Sequence, residues 1–190
     1  MQEKPDSSSL PTALQRVALT LRTVGWIAFW LQLVLAVISA VILVVFTAFR
    51  NNDNRESVQG IGFGIFFAIC GLVTLGAGIY LAYRYTRIST DLLEAEASAR
   101  PSKADTLQTI RLGLIVNLVG MLFTIIGAQA VIGIILGTSL SQPAGAGIVL
   151  TPRQFVQPLD LFVVQANVNT ITAHFVGIAT SLWLFNRVSR

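Results

Sequence analysis

Four stretches of the chain, 23–49, 57–83, 112–152 and 161–186, contain no Asp, Glu, Lys or Arg. Each exceeds the roughly 20 residues that a helix needs to cross a bilayer. The pattern predicts four transmembrane helices, near 24–49, 61–84, 112–139 and 160–185. The expected fold class is an all-α integral membrane protein with no sizeable soluble domain beside the spans.

A second regularity lies inside the spans. Read in seven-residue steps, the first gives Gly25, Gln32 and Ser39, and the second Gly64, Gly71 and Gly78. The third gives Gly113, Gly120 and Gly127, and the fourth Asp160, Asn167, His174 and Ser181. Such a set drifts only about 20° per step, so it marks one face of a helix. Small residues let helix backbones approach closely, which drives association in lipid, where water exclusion cannot act. A period of seven also suits gently left-handed crossings. The prediction is a left-handed four-helix bundle packed on small residues. Glycine stripes join its second and third helices, and polar side chains of the first and fourth point inward. Gly133 and Gly137 add a GxxxG to the third helix, either as another contact within the chain or as an oligomer face.

The fourth span is unusually polar. Besides Asp160, Asn167 and His174 it holds Gln165, Asn169 and Thr172, spaced i, i+4, i+7 on roughly the opposite face. Polar groups in hydrocarbon are costly unless partnered. Two polar faces therefore require two partners: the bundle interior for one, and a neighbouring subunit, partner protein or aqueous path for the other. Gln32, Asn117 and Gln129 are candidate partners on other helices. Interhelical hydrogen bonding accounts for such residues, at about 1 kcal/mol or less each. So does a substrate or ion path, because ionisable groups inside membranes mark function.

Charge fixes the orientation expected. Lys4, Arg16 and Arg22 precede the first span; Arg84, Arg87, Arg100, Lys103 and Arg111 lie between the second and third; Arg187 and Arg190 follow the fourth. The other side holds Arg50, Arg55 and Arg153. Ten against three places both termini and the 84–111 loop in the cytoplasm. Trp26, Trp183, Tyr80, Tyr83 and Tyr85 fall near the same face, as interfacial aromatics do. The net charge of +4 and the charged fraction of 12% belong to the flanks of the spans. They match lipid headgroups, with no basic surface suited to nucleic acid.

Outside the spans, residues 1–9 read as disordered. Residues 10–23 read as an amphipathic helix on the membrane surface, with Leu14, Val17 and Leu21 on one face, or as an extension of the first span. The transmembrane domain is then 24–190. The second helix is expected to run on to about Ala97, supported by an Arg87–Asp91 pair. Ser102 and Asp105 form a capping-box-like start to the next helix. The connection around 141–157 is rich in Gly and Pro and reads as a loop. No cleavable signal peptide is expected.

Candidate chemistry is sparse. Cys70 is the single cysteine, so no intrachain disulfide forms, and it reads as a small packing residue. Asp160 and His174 are fourteen residues apart, about 21 Å along one helix, too far to hold one ion. One histidine and no acid deep in a span make a poor transition-metal site. No HExxH, P-loop, dinucleotide fingerprint or His/Asp/Ser constellation is present; the glycines of "GIGFGIFF" open a span with no strand before them. No enzyme activity and no cofactor are expected.

Two segments carry a family resemblance: "NLVGM" with "GAQA" in the third span, and "LDLFVVQANVNTITAHFVG" in the fourth. They hold Asn117, Gly120, Gly127, Gln129, Asp160, Gln165, Asn169, Thr170, His174 and Gly177. Over residues 10–190 the chain resembles the cyanobacterial relatives of a plant chloroplast inner-envelope protein family. That family is described both as a twenty-one-kilodalton subunit of the inner-envelope translocon and as the permease in chloroplasts, linked to iron. The resemblance implies a four-span protein with a role in transport, either preprotein import or movement of a divalent metal. A plastid-targeted member would be expected to carry a long transit extension ahead of these spans; the location expected for this chain is a bacterial plasma membrane or thylakoid. Partners expected are the lipid bilayer and either further copies of the chain or other membrane proteins. A non-transporting scaffold or assembly factor is the alternative, because four spans leave little room for a pore.

Overall fold

The computed structural model describes residues 12–52, 61–94, 100–140 and 158–189. They form four helices: α1 (Thr12–Asn52), α2 (Ile61–Glu94), α3 (Lys103–Leu140) and α4 (Pro158–Ser189). All four are long and apolar enough to cross a membrane. The protein is therefore an all-α, multi-pass membrane protein. Successive helices pack side by side, α1 closes against α4, and α2 meets α4 only marginally across the middle. The start of α1, the end of α2, the start of α3 and the end of α4 share one end, called here the basic end.

Helix α1 is longer than the first charge-free stretch. No separate surface helix stands at 12–23; these residues continue the span as one helix, the second of the two readings of this segment. Its apolar face is covered by protein: Ala18 and Leu21 are fully buried with Tyr85, Ile88, Leu92, Ile110, Leu184 and Val188. The other three helices also extend past the charge-free stretches at this end and offer that face a partner. Ser89 Oγ adds a 2.7 Å bond to the Ala18 carbonyl. The expected disorder at 1–9 and the loop at 141–157 lie outside the described residues.

Ser102 caps the start of α3. Ser102 Oγ accepts from the Asp105 backbone N–H at 3.1 Å and donates to the Asp105 carboxylate at 2.6 Å. This satisfies one of the donors that a helix start leaves open. Arg87, by contrast, donates from Nε to Tyr83 Oη at 3.2 Å.

A second apolar cluster, Leu43, Phe46, Ala68, Val131, Val163 and Ala166, fills the far end of the bundle. Exposed large apolar side chains line the outside of all four helices, including Trp30, Val41, Val44, Val73, Leu122 and Phe175. They provide the surface that lipid requires. Between the two apolar clusters the interior turns polar.

Candidate functional site

The polar layer is built on the seven-residue stripes. Gln32, Ser39, Asn117, Thr124, Asn167, Thr170, His174 and Ser181 are all buried. From Ser181 to the level of Ala166 the layer spans about 22 Å of α4.

Its centre is a four-helix knot of hydrogen bonds. Gln32 Nε2 of α1 donates to Asn117 Oδ1 of α3 at 3.0 Å and lies 3.1 Å from the Ala173 carbonyl of α4. Asn117 Nδ2 donates to the Gly113 carbonyl at 2.8 Å. His174 Nδ1 lies 3.2 Å from Asn117 Oδ1, and its Nε2 lies 3.1 Å from the Gly71 carbonyl of α2. Thr74 Oγ1 stands between two carbonyls, Gly71 at 2.8 Å and Cys70 at 3.0 Å. Among the described residues, two buried acceptors, Gln32 Oε1 and Asn167 Oδ1, have no donor.

The glycines make room for these side chains as well as for helix contact. A Cβ on Gly120 would overlap the His174 ring and the Thr74 hydroxyl, and one on Gly177 would overlap the Asn117 and Gln32 amides. A Cβ on Gly78 would sit 2.9 Å from Asn117 Oδ1, one on Gly113 would overlap the Tyr85 hydroxyl, and one on Gly71 would overlap Thr124. Gly64 and Gly127 pack α2 directly on α3: a Cβ on Gly127 would meet the Gly64 carbonyl at 2.9 Å. Gly133 and Gly137 have nothing within 4 Å of where a Cβ would stand, so they pack against no described part of this chain.

Above and below the knot the layer continues. Ser39 Oγ bonds the Ala166 carbonyl between α1 and α4 at 3.0 Å. Asn167 Nδ2 and Thr170 Oγ1 bond carbonyls of their own helix, those of Val163 and Ala166. Toward the basic end, Tyr85 Oη lies 3.2 Å from Ser181 Oγ. Tyr85 was expected among the interfacial aromatics with Tyr80. Instead it is 2% exposed, whereas Tyr80 is 62% exposed. The signal was present: Tyr85 stands one seven-residue step beyond Gly64, Gly71 and Gly78.

The remaining candidates lie elsewhere. Gln129 is exposed on the outer face of α3, away from the network. Gln165 is exposed, Asn169 is half-buried, and Gln165 Nε2 donates to Asn169 Oδ1 at 3.0 Å. Thr172, also exposed, bonds the Val168 carbonyl. The second polar face of α4 thus points out of the bundle. Asp160 belongs to the first turn of α4, and its side chain lies outside the described residues.

Among the described residues no three His, Cys, Asp or Glu side chains come together to hold a metal ion. Both ring nitrogens of His174 face oxygen atoms at hydrogen-bond distance, leaving neither directed at open space.

These features define a multi-pass membrane protein whose four helices enclose a buried amide–imidazole layer. The chain belongs to the family described as protein of unknown function (DUF3611), which it matches over residues 11–189. It is similar to Protein TIC 21, chloroplastic, of Arabidopsis thaliana, with 28% identity over 98% of this chain. The chain spans 62% of that relative's length. No solved structure matches it.

Proposed function

We propose that this is a transport-associated membrane protein, not an enzyme, in which the buried polar layer forms the part of the path that lies inside each chain. The observation that carries the proposal is the knot of Gln32, Asn117 and His174, which brings four helices to one buried point. Ionisable groups inside a membrane are rare and mark substrate, ion or proton paths, and His174 at the centre of the knot is such a group. The resemblance to the inner-envelope import and permease family supports the same reading, with a divalent metal or a preprotein as cargo. The ten-to-three bias of Lys and Arg supports a cytoplasmic basic end, in the plasma membrane or thylakoid of a bacterium.

Four spans closed by apolar clusters at both ends do not make an open pore. The outward polar face of α4 supports assembly: Gln165, Asn169 and Thr172 bond only within α4, and the amide capacity left over would be satisfied against another helix. A second copy suits them, because a primary amide both donates and accepts. Two parallel copies related by a two-fold axis also place the same residue at the same depth. The same face favours the alternative of a scaffold that binds a different membrane protein.

The test is uptake of ferrous iron, with manganese and zinc as comparators, into proteoliposomes holding wild type or His174→Gln. Uptake that falls in the variant at equal reconstitution supports the transport reading. Folded, inserted wild type with no flux above empty liposomes favours the scaffold.

A further inference from the structure

We infer that His174 is a proton-binding site that alternates between a neutral imidazole and an imidazolium inside the bundle. The argument rests on the atoms that face the ring. Nδ1 faces Asn117 Oδ1 at 3.2 Å and Nε2 faces the Gly71 carbonyl at 3.1 Å. Both partners are acceptors. A neutral imidazole carries one N–H, so either tautomer leaves one nitrogen lone pair against an oxygen lone pair. Only the doubly protonated ring donates on both sides.

The acceptor facing Nδ1 is fixed by its surroundings. Asn117 Nδ2 is held by the Gly113 carbonyl at 2.8 Å. Gln32 Nε2 is held by the Ala173 carbonyl at 3.1 Å and supplies a second donor to Asn117 Oδ1. Flipping either amide would turn its oxygen onto a backbone carbonyl. The Gly71 carbonyl is adjustable: Thr74 Oγ1 reaches it and the Cys70 carbonyl almost equally. The threonine hydroxyl can therefore turn to Cys70 when the imidazolium needs Gly71. Gln32 Oε1, on the amide that donates to Asn117, is buried with no donor among the described residues and is one more negative dipole end in the knot.

No carboxylate competes for the charge among the described neighbours. α1 presents Gln32, α2 presents Gly71 and Thr74, and α3 presents Asn117 and Gly120. The half-buried Cys70 stands next to Gly71 on α2, and toward the basic end Tyr85 is bonded to Ser181 two turns away. A buried cation without a counter-ion is costly, while the neutral ring is left one hydrogen short. Neither form is fully satisfied, the condition under which a group changes state. Proton uptake adds H+ from water to the free ring lone pair, and release returns it. As the coupled ion of transport the proton rests on the reading above; as a binding site it does not.

His174 is the single histidine of the chain, so wild-type protein can be read directly. The experiment is 15N NMR of histidine-labelled protein in lipid nanodiscs between about pH 5 and pH 8, the range in which histidine changes charge. Helicity is followed by circular dichroism in the same samples. The expected result is a reversible change from one ring N–H to two with helicity constant, and loss of the two-N–H form in Asn117→Leu. A ring that keeps one proton on one nitrogen throughout that range in folded protein overturns the proposal, whether or not the protein supports flux. A titrating ring with flux indifferent to a proton gradient keeps the site and removes the coupling.

Discussion

Gln32 of α1 and Asn117 of α3 reach each other across the diagonal of the bundle, Nε2 to Oδ1, at 3.0 Å. The helices that carry them are not neighbours in the ring of four. The bond therefore ties opposite walls together, and Asn117 Oδ1 also faces His174. Interhelical hydrogen bonds in membranes average about 0.6 kcal/mol and reach about 1.7. A double-mutant cycle with Gln32→Leu and Asn117→Leu should give a coupling in that range by detergent unfolding. Asn117→Leu alone should cost more than Gln32→Leu, because it also removes the bond to Gly113 and the acceptor for His174. Additive effects of the two substitutions would mean that the diagonal bond contributes nothing.

Glycines of the same span should respond very differently to a methyl group. Gly120→Ala places a Cβ into the His174 ring, whereas at Gly133 there is open space. Overpacking typically costs about 1–3 kcal/mol, and that loss is expected for Gly120→Ala. Gly133→Ala should be neutral, or slightly stabilising because alanine is the better helix former. His174→Ala in the Gly120→Ala background should recover part of the loss. Equal effects at the two glycines would show that helix propensity, not packing, sets the outcome.

Much of this architecture was legible from two simple periods. The charge-free stretches located the spans because hydrocarbon excludes unpaired charge. The seven-residue step located the interior, since Gln32, Asn167, His174 and Ser181 all turn inward. The step was read too locally in places. Tyr85 continues the α2 stripe, but its place beside Tyr80 and Tyr83 at the span end suggested an interface. The apolar face of Leu14, Val17 and Leu21 made residues 10–23 look like a surface helix, yet that face packs inside the bundle, where Ala18 and Leu21 are buried. Gln129 and Gly133 each stand two residues beyond a buried position, Gly127 and Val131, which is about 200° around the helix and so outside. The joining of Asn117 and His174 depends on how α3 and α4 lie against each other, which neither helix pattern contains.

The outward amides of α4 lead to a prediction about assembly. In a Cys70→Ala background, Gln165→Cys should form a disulfide between copies in the membrane under mild oxidation, and Gln129→Cys should not. Gln165→Leu with Asn169→Leu should weaken the association while helicity is retained, because both side chains lie outside the core. Cross-linking at position 129 in place of 165 would move the interface to α3.

Toward the basic end, Gly113 and Tyr85 form a pair that can be separated by compensation. A Cβ on Gly113 would overlap the tyrosine hydroxyl and stand 3.1 Å from Cζ, while Ser181 Oγ lies 3.2 Å from that hydroxyl. Tyr85→Phe removes the hydroxyl and leaves Ser181 without its partner, a loss of about 1 kcal/mol. Gly113→Ala in the natural background should cost more, because the ring is fixed among Leu21, Ile110 and Leu184 and has little room to retreat. With both substitutions, the alanine methyl takes space that the hydroxyl vacated. The double variant should therefore be more stable than Gly113→Ala alone, a reversal of sign that independent sites do not show. Thermal unfolding of the three variants in one detergent reads this directly. A double variant as unstable as the sum of the two would place the cost of Gly113→Ala in helix contact and not in the tyrosine's seat.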